Sequence, residues 1–261
     1  MQGIGKTIIK SNVVLDKLRR GEPSVGTWIS LGTPVSAELQ AQVGWDWLLV
    51  DAEHSPVGFD AMVNCFRAAQ LGGCAPFARV PWNDTIWIQR TLDAGAMGLL
   101  VPMVNTRQDA EFAVSNTVYA PGGQRSFGGS RLAAYTGSDY RQWVQDNLAV
   151  VVQIETAEAV DNLAEIVAVP GIDACYIGTS DLMLSLGLSE MGAEHEKVVQ
   201  QVLATCRAAG MPCGAWCNTG AEVARRIAEG FQFLNCGGDA GHMRAGAAAD
   251  FAAIGLGDRA S

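Results

Sequence analysis

Eight times along this chain a short run rich in Val, Ile and Leu is followed by a stretch whose apolar residues recur at helical spacing, and few folds accommodate that rhythm. The runs read as strands at VGTWISL (25 to 31), WDWLLVDAE (45 to 53), APFARV (75 to 80), GLLVPMV (98 to 104), AVVVQIE (149 to 155), DACYIG (173 to 178), PCGAWCN (212 to 218) and FQFLNCG (231 to 237). Between them Phe59, Val63 and Phe66, or Val160, Leu163, Ala164 and Val167, mark one face of a helix. Gly95, Gly210 and Gly230 stand where a helix must stop before the next strand. Strands this uniformly apolar are buried on both faces, as in a parallel sheet covered by helices. Eight βα units in 261 residues predict an α/β protein, a single-domain (β/α)8 TIM barrel over 1–261, with a doubly wound open sheet as the alternative. One connection breaks the pattern: YAPGGQRSFGGSRLAAY, from Tyr119 to Tyr135, is rich in Gly, Ser and Arg and reads as a functional loop or lid.

Composition narrows the partners. With 49% hydrophobic and 17% charged residues the chain is not disordered. Its 18 Lys and Arg against 27 Asp and Glu, a net charge of −9, leave no basic footprint for nucleic acid or an anionic membrane. No apolar run approaches the ~20 residues of a membrane span, and the start MQGIGKTIIKSNVV lacks the apolar core of a signal peptide. The seven cysteines show no C-x-x-C and read as reduced, mostly buried thiols of a cytoplasmic protein. Cys213 and Cys217 would share one face of the seventh strand roughly 13 Å apart, too far to share a zinc ion.

In a barrel the chemistry lies at the carboxyl ends of the strands, and here those ends are crowded with polar groups. They carry Asp51, Glu53 and His54; Arg79; Gln153 and Glu155; Gly178, Thr179, Ser180 and Asp181; Asn218; and Asp239. Glu155 and Asp181 end neighbouring strands, and two carboxylates facing one mouth suit a hard divalent ion such as Mg²⁺, Mn²⁺ or Co²⁺. Either one alone would read as a helix cap or an arginine partner. The IGTSDL turn enters a helix, so the amides of Ser180 and Asp181 can hold the carboxylate of an α-keto acid. His54 is placed to act as a general base. Arg79 is placed to stabilise an enolate oxygen. Asp93 sits in the last turn of its helix, where the dipole disfavours an anion, and so calls for a partner. Trp216 is either core or pocket wall. None of the four lysines, Lys6, Lys10, Lys17 and Lys197, lies on a strand, which removes a Schiff-base mechanism. No nucleotide-binding glycine motif follows the first strand.

The segments LLVDAEHSP, ARVPWND, LDAGAMGLLVPMV, YAPGGQRS, VVQIET and IGTSDL, in this order and spacing, resemble the HpcH/HpaI aldolases, class II pyruvate aldolases. The resemblance runs from about Gly26 to Asp239. It implies a metal-dependent, reversible cleavage of a 4-hydroxy-2-oxo acid to pyruvate and an aldehyde. By the same resemblance Glu155 and Asp181 bind the metal, and Gln153 with the backbone around Gly178, Thr179, Ser180 and Asp181 contacts pyruvate. His54 is the base, Arg79 stabilises the enolate, and Asp93 of a neighbouring subunit raises the basicity of His54. It also implies a homo-oligomer, a hexamer, packed in part through a C-terminal helix at 240–256. Two departures stand out: Gly-Thr-Ser-Asp replaces the Gly-Pro-x-Asp of many relatives, and Trp216 occupies a region where a smaller aliphatic residue is common. The second bears on the aldehyde half of the substrate. The rival readings are an acyl-CoA ester lyase of the citrate-lyase β type, with loop 120–131 meeting the CoA phosphates, and a keto-acid-binding protein without chemistry.

Overall fold

The computed structural model describes residues 9–136 and 139–255, so Lys6 and the last residue of the run 240–256 lie outside the described residues. The elements are α1 (Val13–Arg19), β1 (Ser24–Ile29), α2 (Pro34–Ala41), β2 (Trp47–Asp51), α3 (Phe59–Leu71), β3 (Ala75–Arg79), α4 (Thr85–Ala94), β4 (Gly98–Val101) and α5 (Arg107–Ser115). A 3-10 turn (Arg131–Ala134) leads to α6 (Tyr140–Asn147), β5 (Ala149–Ile154), α7 (Ala157–Asp161), α8 (Leu163–Val167), β6 (Ala174–Ile177) and α9 (Thr179–Ser185). The chain closes with α10 (Ala193–Ala208), β7 (Cys213–Ala215), α11 (Gly220–Glu229), β8 (Phe233–Gly238) and α12 (Asp239–Ala253). Each strand pairs in parallel with its sequence neighbours, and β8 returns to β1 with Ser24 opposite Phe233, so the sheet closes into an eight-stranded barrel. That closure removes the open-sheet alternative.

All eight expected strands form, but most end early, which leaves more residues for the mouth. Pro102 has no N–H to offer a ladder, and β4 stops at Val101. β7 ends at Ala215, so Cys217 lies beyond it and the expected one-strand spacing of Cys213 and Cys217 does not apply. All seven cysteines are unpaired, six of them buried. Gly95 and Gly230 end α4 and α11 with φ of 111° and 100°, a left-handed conformation open to glycine. No helix among the described residues is long and apolar enough to cross a membrane.

Large rings facing glycines fill the barrel interior. Trp47 lies opposite Gly26, Phe77 opposite Gly98 and Phe233 opposite Gly214 in the ladders. Trp47 and Phe233 stack at 4.5 Å between centroids, with Phe77 5.7 Å from Phe233. The Trp47 and Phe77 rings occupy the space that a side chain at Gly26 or Gly98 would need, while at Gly214 the Phe233 carbonyl and the Tyr176 ring leave no room for one.

Two expectations about the periphery change. The 119–135 connection follows α5 and packs at the foot of the barrel rather than over the mouth. There Arg131 donates to the Ala94 carbonyl at 2.9 Å and Arg125 pairs with Asp93 at 3.0 Å, both closing the end of α4. Asp239 stands at the carboxyl end of β8 as expected, but its carboxylate ties down the β1–α2 turn and does not line the cavities of the mouth. Its carboxylate accepts from the Ser30 amide and hydroxyl at 2.9 Å and from the Ser36 hydroxyl at 2.6 Å. Beyond that anchor α12 leaves the barrel, with Met243, Phe251 and Ile254 exposed.

A methyl group at Gly98 would run into the Phe77 ring. Gly98→Ala is therefore expected to destabilise the fold by about 1–3 kcal/mol, the usual scale of overpacking, read as a lower denaturation midpoint.

Candidate active site

The barrel mouth is organised around the last residues of two adjacent strands. Asp51 and Arg79 are register partners on β2 and β3, so their side chains emerge together. The guanidinium meets the carboxylate bidentately, Nε to Oδ1 at 2.9 Å and Nη2 to Oδ2 at 2.8 Å. Glu53 approaches Nη1 at 3.1 Å, and the Trp28 ring lies 4.5 Å from the guanidinium carbon. Burial works to raise the Asp51 carboxyl, but Arg79, by hydrogen bond and by charge, holds it below the ordinary range. The same carboxylate accepts from the amides of Glu53 (3.1 Å) and His54 (3.4 Å) and from the Ser55 hydroxyl (3.2 Å), which folds the loop after β2 over the mouth. His54 thereby faces the mouth with a side chain 61% exposed, its Nε2 3.9 Å from Glu53 Oε1.

The opposite wall is acidic. Glu155, 3% exposed, accepts from the Met103 amide at 2.7 Å through one oxygen and contacts the Gln153 amide through the other. Burial pushes its carboxyl up against these bonds, and the nearby Asp181 adds to the rise. No Lys or Arg pairs with Glu155 or Asp181 among the described residues. Met103 holds its amide there with φ of 54°, a backbone that a non-glycine residue rarely adopts. Gly178 makes the room: a Cβ there would come within 2.6–2.8 Å of Gln153 Nε2 and the Glu155 side chain. The buried Gln153 Oε1 has no partner.

A cavity of about 230 Å³ lies between these walls, lined by His54, Arg79, Gln153, Ser180, Asp181 and Trp216 among others. Of the residues expected at the site, the fold brings together all but one. Gly178 and Thr179 line the cavity too, and Trp216 is a pocket wall, not core. Asp93 is the exception, being held by Arg125 at the far end of the same barrel. That ion pair answers the unfavourable position of Asp93 at the end of α4.

Four contributing residues have no role legible in the sequence. Asp51 and Glu53 were visible at a strand end, but only register shows that they hold Arg79. Trp28 carried no polar signal. Buried His195 on α10 places Nε2 2.9 Å from the Thr179 carbonyl and so supports the first turn of α9; nothing in the sequence ties those two segments together.

With this geometry in place, comparison with known proteins decides the family. The sequence profile of the HpcH/HpaI aldolase/citrate lyase family matches residues 24–245. The chain belongs to that family. This aldolase is 37% identical to the hydroxypyruvate/pyruvate aldolase of Rhizorhabdus wittichii, over 87% of its own length and 92% of the relative. It is 36% identical to a 4-hydroxy-2-oxo-heptane-1,7-dioate aldolase of Salmonella newport, over 94% and 95% of the two chains. The crystal structure of an HpcH/HpaI aldolase/citrate lyase family protein from Burkholderia cenocepacia superposes with a TM-score of 0.88 at 32% identity, covering 94% of this chain and 99% of that one. The aldolase is thus an enzyme of the carbon–carbon lyase type.

Burial raises the Glu53 carboxyl from 4.5 to about 6, against the pull of Arg79 and His54 and with help from Glu155 and Asp51. A carboxyl raised on folding binds more protons folded than unfolded, so stability falls as pH rises through this interval. In chelator-treated protein the unfolding free energy is expected to fall from about pH 4.5 to about pH 6, and Glu53→Gln to flatten that slope.

Proposed function

We propose that this enzyme reversibly cleaves a 4-hydroxy-2-oxo acid to pyruvate and an aldehyde, with a divalent ion held by Glu155 and Asp181. The observation that carries the reading is the uncompensated acidic wall facing a fixed arginine across one cavity. Buried Glu155 next to Asp181, with neither paired to a cation, and the cradle left by Gly178 form a hard oxygen donor set. Among the described residues no three His, Cys, Asp or Glu side chains gather into a metal cage, so the proposed donor set is these two carboxylates alone. A bound divalent ion would polarise the keto group of the substrate.

The chain's own residues do the rest. Gln153 and the turn from Gly178 through Thr179 and Ser180 to Asp181 orient the keto-acid end. His54, exposed at the opposite rim, takes the C4 hydroxyl proton as the C3–C4 bond breaks. Arg79 faces the developing enolate from a position locked by Asp51, so no reorganisation is needed as charge forms. Because Asp93 sits at the foot of its own barrel, any action on His54 requires Asp93 of a second copy.

An oligomer is part of the same reading. Val35 and Leu39, one turn apart on α2, are exposed, as are Leu31 just before the helix and Val43 just after it, beside the point where α12 leaves the barrel. The α12 of another copy would cover these apolar residues, and a hexamer is the assembly expected. In light scattering, Leu39→Asp combined with Phe251→Asp is expected to yield a smaller particle than the wild type.

The thioester-lyase alternative is not favoured. Loop 120–131, expected to meet CoA phosphates, packs at the foot of the barrel with Arg125 buried.

Exchange of pyruvate methyl protons in D₂O, followed by NMR with and without Mg²⁺, Mn²⁺ or Co²⁺, tests the proposal without knowledge of the aldehyde. Metal-dependent exchange is expected, lost in Glu155→Ala and slowed about 100-fold or more in Arg79→Ala, the scale of losing an oxyanion stabiliser. Exchange that survives both substitutions and chelation would overturn it.

A further inference from the structure

Beyond the keto-acid end the mouth widens into a second chamber of about 420 Å³, which shares Trp28, Arg79 and Trp216 with the first and is bounded on its far side by Asn218, Gly237 and His242. On the aldolase reading, which this step rests on, the chamber receives the aldehyde half. Its walls are specific. Trp28 and Trp216 meet edge to face at 5.1 Å, and the Trp216 indole N–H donates to Asn218 Oδ1 at 2.9 Å, so the two rings form a fixed apolar surface. Among the described residues Arg79 is the one arginine or lysine lining the chamber, and Asp51 and Glu53 already hold it. A substrate ending in a second carboxylate would find no free Lys or Arg among the described residues there, and would sit near the Asp51 carboxylate.

His242, the second residue after Ala240 in α12, plays no part in the steps above, yet its ring is built into place. The Trp45 indole N–H donates to Gln40 Oε1 at 3.2 Å, which turns the Gln40 amide nitrogen toward His242 Nδ1, also at 3.2 Å. Nδ1 therefore accepts, and the ring proton sits on Nε2. Trp45 stacks on the imidazole with centroids 6.3 Å apart and planes 10° apart, which leaves the ring little freedom to turn. Nε2 lies at Gly237, where a Cβ would come within 3.0 Å of it. No residue among those described accepts its proton.

We propose that His242 is a specificity-determining residue: its Nε2–H donates to a hydroxyl on the aldehyde, so that the chamber takes short, uncharged hydroxyaldehydes in preference to aldehydes ending in a carboxylate. A site built to bond a hydroxyl rejects the analogue lacking it, because its own donor is then left unpaired. Gln40 and Trp45 are positioning residues in this scheme, since they fix which nitrogen carries the proton.

The test compares kcat/KM for addition of pyruvate to matched aldehydes: glycolaldehyde against acetaldehyde, which differ by one hydroxyl, and butanal against succinate semialdehyde, which differ by a terminal carboxylate. Pyruvate proton exchange in the same samples reports on the aldolase reading separately. The glycolaldehyde preference of the wild type, relative to that of His242→Phe, is expected to be about tenfold, one hydrogen bond's worth. His242→Gln, whose amide nitrogen can reach the same point, is expected to keep most of it, and Gln40→Leu to lose part of it. Succinate semialdehyde is expected to react more slowly than butanal. Nitrogen-15 correlation spectra should show the Nε2–H tautomer for His242 in the wild type. Proton exchange with no change of preference in His242→Phe, or with succinate semialdehyde favoured over butanal, would overturn this role alone. Absence of exchange with every metal would overturn the aldolase reading and this role with it.

Discussion

The ion pair between Asp51 and Arg79 is the constraint on which the mouth depends. Both residues end their strands, and the register of β2 against β3 sets them side by side before any loop begins. A buried pair of this kind repays its desolvation only when the geometry is good, and removing one partner typically costs about 3–5 kcal/mol. Here the geometry is bidentate, and the remaining capacity of the carboxylate is used by the amides of Glu53 and His54 and the Ser55 hydroxyl. One carboxylate therefore orients the arginine and shapes the loop that carries the histidine. Its value lies in position more than in stability.

Charge is distributed unevenly across the cavity, and the unevenness is informative. On one side Arg79 has two carboxylate partners. On the other, Glu155 is buried beside Asp181, bonded only by neutral donors, one of them an amide presented by the strained Met103. Buried negative charge without a cation is costly, and a strained backbone needs a surrounding structure that insists on it. Both features belong to a site shaped for something positive.

The same barrel leaves its outer layer incomplete. Asp239 fastens the start of α12 to the β1–α2 turn, after which the helix departs and Val35 and Leu39 of α2 stay exposed. The anchor has a local consequence as well, because it sets the turn of helix that delivers His242 to the second chamber.

The sequence alone determined the architecture and most of the mouth. Strand runs buried on both faces must be covered by helices, and the alternation of the two leaves little choice of fold, so eight units were legible from apolar periodicity. Residues such as Glu155, Asp181, His54 and Arg79 were legible because polar groups at strand ends have no packing reason to be there. What the sequence could not show was pairing between segments far apart in the chain. Asp51 and Glu53 stood in plain view, but only strand register makes them partners of Arg79, and only the packing of the 119–135 connection on α4 gives Asp93 to Arg125 and takes that loop away from the mouth. The Trp45, Gln40 and His242 relay likewise joins the second helix of the chain to its last. Periodicity reports what each segment buries, a local property; which buried group meets which is decided by closure of the barrel, and that exists only in three dimensions.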